Sequence, residues 1–145
     1  MKGWYAIHYL LNQKEPDLNK IKNAKFIKDE LSLNIALKNN NISFEIIKYL
    51  IKNGSILKND YLFLSIKNEG KDRNKIISLL LDYGLTLSEN EKKIIKKSTL
   101  HIDPIEKEYI DCIKQKTKLK DKEIKLFVKL YFIDERLIDQ LLTSF

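Results

Sequence analysis

Phe44-Glu45-Ile46-Ile47-Lys48-Tyr49-Leu50-Ile51-Lys52-Asn53-Gly54 decides the fold, because the chain writes it again thirty residues later as Asn74-Lys75-Ile76-Ile77-Ser78-Leu79-Leu80-Leu81-Asp82-Tyr83-Gly84. Ile46, Ile47, Leu50 and Ile51 fall on one stripe of a helix, and Ile76, Ile77, Leu80 and Leu81 fall on the same stripe of the second copy. Each copy ends on a glycine, where a helix C-terminus calls for a positive φ. The residues after the glycines agree in character, Ser55-Ile56-Leu57 against Leu85-Thr86-Leu87. Two amphipathic helices in register, each closed in the same way, predict a repeat.

Working outward, a shorter helix is predicted before each copy, over Leu31–Asn39 and Asp60–Asn68, with polar turns at Asn39-Asn40-Asn41 and Asn68-Glu69-Gly70-Lys71. Trp4–Leu11 and Asp17–Lys28 read as one further pair. Downstream, Ser88-Glu89-Asn90-Glu91 has the form of a capping box and opens a helix carrying Ile94 and Ile95. Asp103-Pro104 is predicted to start another helix, with Ile105, Tyr109, Ile110 and Ile113 on its apolar side. Asp121 heads a helix with Ile124, Phe127, Val128 and Tyr131, and Asp134 heads the last, with Leu137, Ile138, Leu141 and Leu142. The expectation is an all-α helical-repeat solenoid of about five helix pairs with a period near 30, in one domain, 1–145. The best copies lie in 31–88, and 1–30 and 89–145 serve as capping helix pairs. Helices this short are marginal alone and gain stability by burying one another's stripes.

Composition narrows the function. The chain has 145 residues, 43% hydrophobic and 32% charged, with four Gly and two Pro, too few for a many-stranded sandwich. No run reaches the ~20 apolar residues that span a bilayer. Met1-Lys2-Gly3-Trp4 leads into a short apolar patch without a small-residue cleavage site, so the expected location is cytoplasmic. A single cysteine, Cys112, fits a reducing compartment, and its apolar neighbours predict a buried side chain. The net charge of +7 is spread evenly: +2 over 1–30, +3 over 31–87 and +2 over 88–145. Nearly all of it is lysine, Arg73 and Arg136 being the only arginines. Nucleic-acid recognition recruits the guanidinium fork, so a lysine-rich nucleic-acid binder is the alternative and not the leading reading.

No catalytic, cofactor or metal constellation emerges. His8 lies in an aromatic-rich first helix and is expected to pack at its surface, and His101 precedes a helix with Asp103 as a lone neighbour. Phosphate loops, nucleophile elbows and paired-cysteine spacings are absent. Acids such as Glu106, Glu108, Asp134 and Glu135 sit at helix starts, where they complement the helix dipole. The expectation is a non-enzyme with no cofactor and no small-molecule substrate.

Leu31-Ser32-Leu33-Asn34-Ile35-Ala36 and Ile46–Gly54 together resemble the two halves of an ankyrin repeat. Leu33 stands at the Leu, Asn34 at the His and Ala36 at the Ala of the T-P-L-H-x-A opening. The next copy keeps the Leu and a small residue in Tyr61-Leu62-Phe63-Leu64-Ser65, and its end, Ile76–Gly84, matches well. The resemblance covers 31–88. The T-P pair is absent and the turns between helices are longer than usual; a helical solenoid of another family is the structural alternative. The resemblance implies protein binding through the first-helix face and the turn tips. By position these are Asn34, Lys38, Phe63 and Lys67 on the face, and Ser55, Lys58, Asn59, Asp60, Leu85 and Thr86 at the tips. The implied role is an adaptor or inhibitor for a protein partner, either a viral or microbial factor or an immunity protein that neutralises a toxin.

Overall fold

The computed structural model describes residues 3–97, 107, 108, 111, 112, 115 and 134–142. Among the described residues the fold is all-helical, without strands. In order, α1 is Ala6–Leu11, α2 Leu18–Asn23, α3 Leu31–Lys38, α4 Phe44–Lys52, α5 Tyr61–Lys67, α6 Arg73–Asp82, α7 Glu89–Lys97 and α8 Glu135–Leu142. Residues 107, 108, 111, 112 and 115 are also helical. The helices expected from Asp103 and Asp121 lie outside the described residues, apart from these five positions, and so does His101. The chain groups into two compact units, Met1–Thr86 and Leu87–Phe145.

In the first unit α1 packs on α2 and α3, α3 on α4 and α5, and α5 on α6, while α4 packs directly on α6. The matched stripes form the core: Ile46, Ile47, Leu50 and Ile51 of α4 are buried, as are Ile76, Ile77, Leu80 and Leu81 of α6. Their burial removes from water side chains worth ~1.5–3 kcal/mol each. Ile7, Leu11, Leu33 and Leu62, all at 0% exposure, supply the α1–α3–α5 side.

The ends of these helices follow from the side chains beside them. The Asp17 carboxylate accepts the amides of Asn19 (2.9 Å) and Lys20 (3.4 Å) at the start of α2. Ser43 Oγ accepts the Ile46 amide at 3.3 Å at the start of α4, where Asp72 Oδ2 also takes the Phe44 amide at 2.8 Å. These acids meet the positive ends of their helices. Gly54 (φ 100°) and Gly84 (φ 82°) close α4 and α6 as expected. The amides of Gly54 and Ser55 return to the carbonyls of Ile51 (3.1 Å) and Leu50 (3.0 Å), and those of Gly84 and Leu85 return to Leu81 (2.9 Å) and Leu80 (3.3 Å). Both are Schellman turns.

In the second unit the capping box forms. The Ser88 amide donates to Glu91 Oε1 at 2.8 Å, and the Glu91 amide donates to Ser88 Oγ at 3.1 Å. Ile95 of α7 is buried, whereas Ile94 is exposed, so the apolar stripe there runs through one isoleucine and not both. Asp134 caps α8 through the Arg136 amide at 2.9 Å. Leu137 is buried, and Gln140 Oε1 accepts the Leu87 amide at 2.9 Å. Cys112 corrects an expectation, because it is exposed. Glu108, Asp111, Cys112 and Gln115 are all exposed and stand at i, i+3, i+4 and i+7, one polar helix face to which the thiol belongs. Among the described residues no helix is long and apolar enough to cross a membrane.

Candidate functional site

Two places in the first unit gather polar or aromatic side chains. One surrounds Asp29, ahead of α3. Its Oδ1 accepts the Ser32 amide (3.1 Å) and hydroxyl (2.9 Å), and its Oδ2 lies 2.7 Å from His8 Nε2. Its carbonyl accepts the Ile56 amide at 3.2 Å. One aspartate thereby ties together α1, α3 and the connector after α4.

His8 is buried at 1% exposure and not at a helix surface as its aromatic surroundings suggested. Its Nδ1 accepts the Tyr5 amide at 2.9 Å, so the ring proton sits on Nε2 and is donated to Asp29. An Asp–His pair has the first two members of a nucleophile relay, in which the far nitrogen must face a hydroxyl or thiol. Here that nitrogen already holds a backbone amide. The pair holds α1 against the start of α3. Trp4 packs beside it, edge-on to Tyr9 at 5.1 Å and to His8 at 6.1 Å.

The other place is the accessible side of α3 and α5. α3 is buried except at Leu31, Asn34 and Lys38, which recur at i, i+3 and i+7. On α5, Phe63 is half-buried and Lys67 exposed, and Lys67 Nζ lies 4.7 Å from the Phe63 ring centroid, a cation–π distance. Asn34 and Phe63, and Lys38 and Lys67, are each 29 residues apart and share a register with the buried pair Leu33 and Leu62. These four expected residues therefore lie at matching positions on two helices in contact.

The expected tips divide. Lys58, Asn59, Asp60 and Thr86 are exposed. Lys58 Nζ stands 3.7 Å from Glu30 Oε2, an exposed pair contributing little to stability. Ser55 and Leu85 are buried and offer no side-chain surface to a partner. Each follows the glycine of a Schellman turn, a position that tucks back against the helix it closes. Ser55 Oγ is, among the described residues, a buried side-chain polar atom without a hydrogen-bond partner.

Tyr61 is buried at the start of α5, and its hydroxyl donates to the Glu30 carbonyl. Burial, together with the negative charges of Asp60, Glu30 and Asp29, pushes its pKa up to about 12. Among the described residues, no three His, Cys, Asp or Glu side chains are grouped to hold a metal ion. No family model, curated protein or solved structure matches the chain.

Proposed function

We propose that residues 6–82 are a stack of helix pairs of the ankyrin-like kind, and that the chain is a non-catalytic cytoplasmic module that grips a protein partner through the accessible side of α3 and α5. One observation carries the reading. Asn34 and Lys38 on α3, and Phe63 and Lys67 on α5, occupy the same register on adjoining helices and are not consumed by the core. A surface built from equivalent positions of successive helices is how stacked repeats make an extended binding face.

Three features support the stacking. α1, α3 and α5 pack in succession, as do α4 and α6. Leu33 and Leu62 are buried at one register position and Ala36 and Ser65 lie in it three residues on, where the ankyrin opening has Leu and Ala. His8 stands 26 residues before Asn34, at the position of that opening's His, and it ties its turn to the next pair through Asp29. The commitment of both His8 nitrogens supports the non-catalytic part.

The test is affinity capture from the native cell type with mass spectrometry, using wild-type chain beside Phe63→Ala and, as an off-face control, Tyr83→Ala. One protein recovered in stoichiometric amount with wild type and the control, and lost with Phe63→Ala, is the expected result. Recovery that ignores Phe63→Ala while the variant stays folded removes this face as the site.

A further inference from the structure

Charge on the α3–α5 face points to the chemistry of its occupant. Residues 1–86 carry 14 lysines and arginines against 9 acids. At the tip side of the face, Lys58 is answered by Glu30. At the other end of the same helices, Lys38 and Lys67 are exposed, and neither has a carboxylate partner among the described residues. Packed helices lie ~8–10 Å apart, so two lysines in one register are separated by about that distance. This spacing is about one turn of an extended polyproline-II chain, three residues at ~3.1 Å each, which brings side chains three residues apart onto one side. Between the lysines and the tips sit Asn34, which can pair with a backbone amide or carbonyl, and the half-buried Phe63, whose ring is flanked by Lys67.

We propose that the occupant of this face is an acidic segment of another protein, bound extended across α3 and α5, with an apolar side chain against Phe63 and carboxylates about three residues apart meeting Lys38 and Lys67. The proposal rests on the protein-binding reading above and adds the partner's chemistry. A nucleic acid would also bring negative charge, but this face offers two lysines, no arginine and a half-buried aromatic ring with Lys67 over it. Single-stranded bases stack on open rings lining a basic groove.

Random-peptide display on the immobilised full chain tests it, with selected peptides then titrated by fluorescence anisotropy against wild type, Lys38→Glu/Lys67→Glu and Phe63→Ala. Both lysines are exposed but lie in the last turns of α3 and α5, and Lys67 covers the Phe63 ring. The double variant should therefore melt a few degrees below wild type and still be folded at the titration temperature. Enrichment of peptides with Asp or Glu about three residues apart around an apolar residue is expected, with affinity falling about tenfold in the double variant and weakening with salt. Four results overturn the acidic occupant. Peptides without acidic bias, or acidic ones indifferent to the double variant, do so and leave the protein-binding reading intact if Phe63→Ala still abolishes binding. Failure to select any peptide rules out a linear segment, and the capture experiment then decides the wider reading alone. Displacement of the peptide by an equal concentration of a thymidine oligonucleotide assigns the face to nucleic acid, and both readings fall.

Discussion

Asn39 and Asn68, 29 residues apart, make the same set of hydrogen bonds at the ends of α3 and α5. Asn39 Nδ2 donates to the carbonyls of Leu11 (2.9 Å) and Gln13 (2.8 Å), and its Oδ1 accepts the Asn41 amide at 3.0 Å. Asn68 Nδ2 donates to the carbonyls of Leu37 (2.8 Å) and Asn39 (3.1 Å), and its Oδ1 accepts the Gly70 amide at 2.6 Å. Each amide side chain satisfies carbonyls left open at the end of the preceding inner helix while bending its own turn. The second asparagine reaches the backbone of the first, so the two form a chain from α1 to α5.

Replacing either residue with alanine leaves those carbonyls without a partner. Asn68 is buried and Asn39 only partly so, and the cost should follow that order. Asn68→Ala is expected to lose ~2–3 kcal/mol and Asn39→Ala ~1–2 kcal/mol in urea unfolding. Asn68→Asp, which keeps the acceptor and removes both donors, should not recover the loss.

Gly70 sits where the α5–α6 turn meets the α3–α4 turn. A Cβ there would come within 2.2 Å of the Asn40 carbonyl oxygen, whereas one on Gly84 would meet nothing within 4 Å. Gly70→Ala must push two turns apart, at a cost of ~2–3 kcal/mol or more. Gly84→Ala bears only the strain of a left-handed conformation, ~1–2 kcal/mol. Thermal unfolding of the two variants should rank them in that order.

The alkaline limit of stability should carry the mark of Tyr61. Its pKa rises from 10.0 in the unfolded chain to about 12 in the fold, so the native state favours the neutral phenol. That contribution is complete below pH 10 and disappears as pH climbs through 12. By linkage it is on the order of 2 kcal/mol. Tyr61→Phe loses one hydrogen bond, ~1 kcal/mol, at neutral pH. Its stability should then fall less steeply than that of wild type between pH 10 and 12, measured by urea unfolding at each pH.

Most of the helical order was legible from apolar spacing, since α4 and α6 carry the same stripe and the same closing glycine. Ser88 and Glu91 announced their cap because a capping box is local. The Asp29–His8 pair was not legible: its members are 21 residues apart, and neither side chain names its partner. Asn39 and Asn68 read as ordinary turn residues, because asparagine suits turns for several unrelated reasons. Ser55 and Leu85 stand among the turn tips that the resemblance implies, yet the geometry that reverses the chain there folds them inward. Asn34, Lys38, Phe63 and Lys67 come from the family resemblance, and the structure shows that none of the four is buried. The pairing of Lys58 with Glu30 needed the fold.

Asp29 joins more elements than its place in a loop suggests. Asp29→Ala removes the cap of α3 and the partner of His8 together, and should cost ~2–3 kcal/mol. Asp29→Asn can still accept the Ser32 amide and should recover part of that. Chemical denaturation of the two variants checks the order, and equal losses would show that the His8 contact alone matters.

The central claim is that α3 and α5 present the binding face, and amide hydrogen exchange of the full chain, free and bound to its captured partner, tests it most directly. The account predicts added protection over residues 31–38 and 61–67 and in the connector at 56–60, with α4 and α6 unchanged. Protection confined to α4 and α6, or to residues beyond 87, would contradict it.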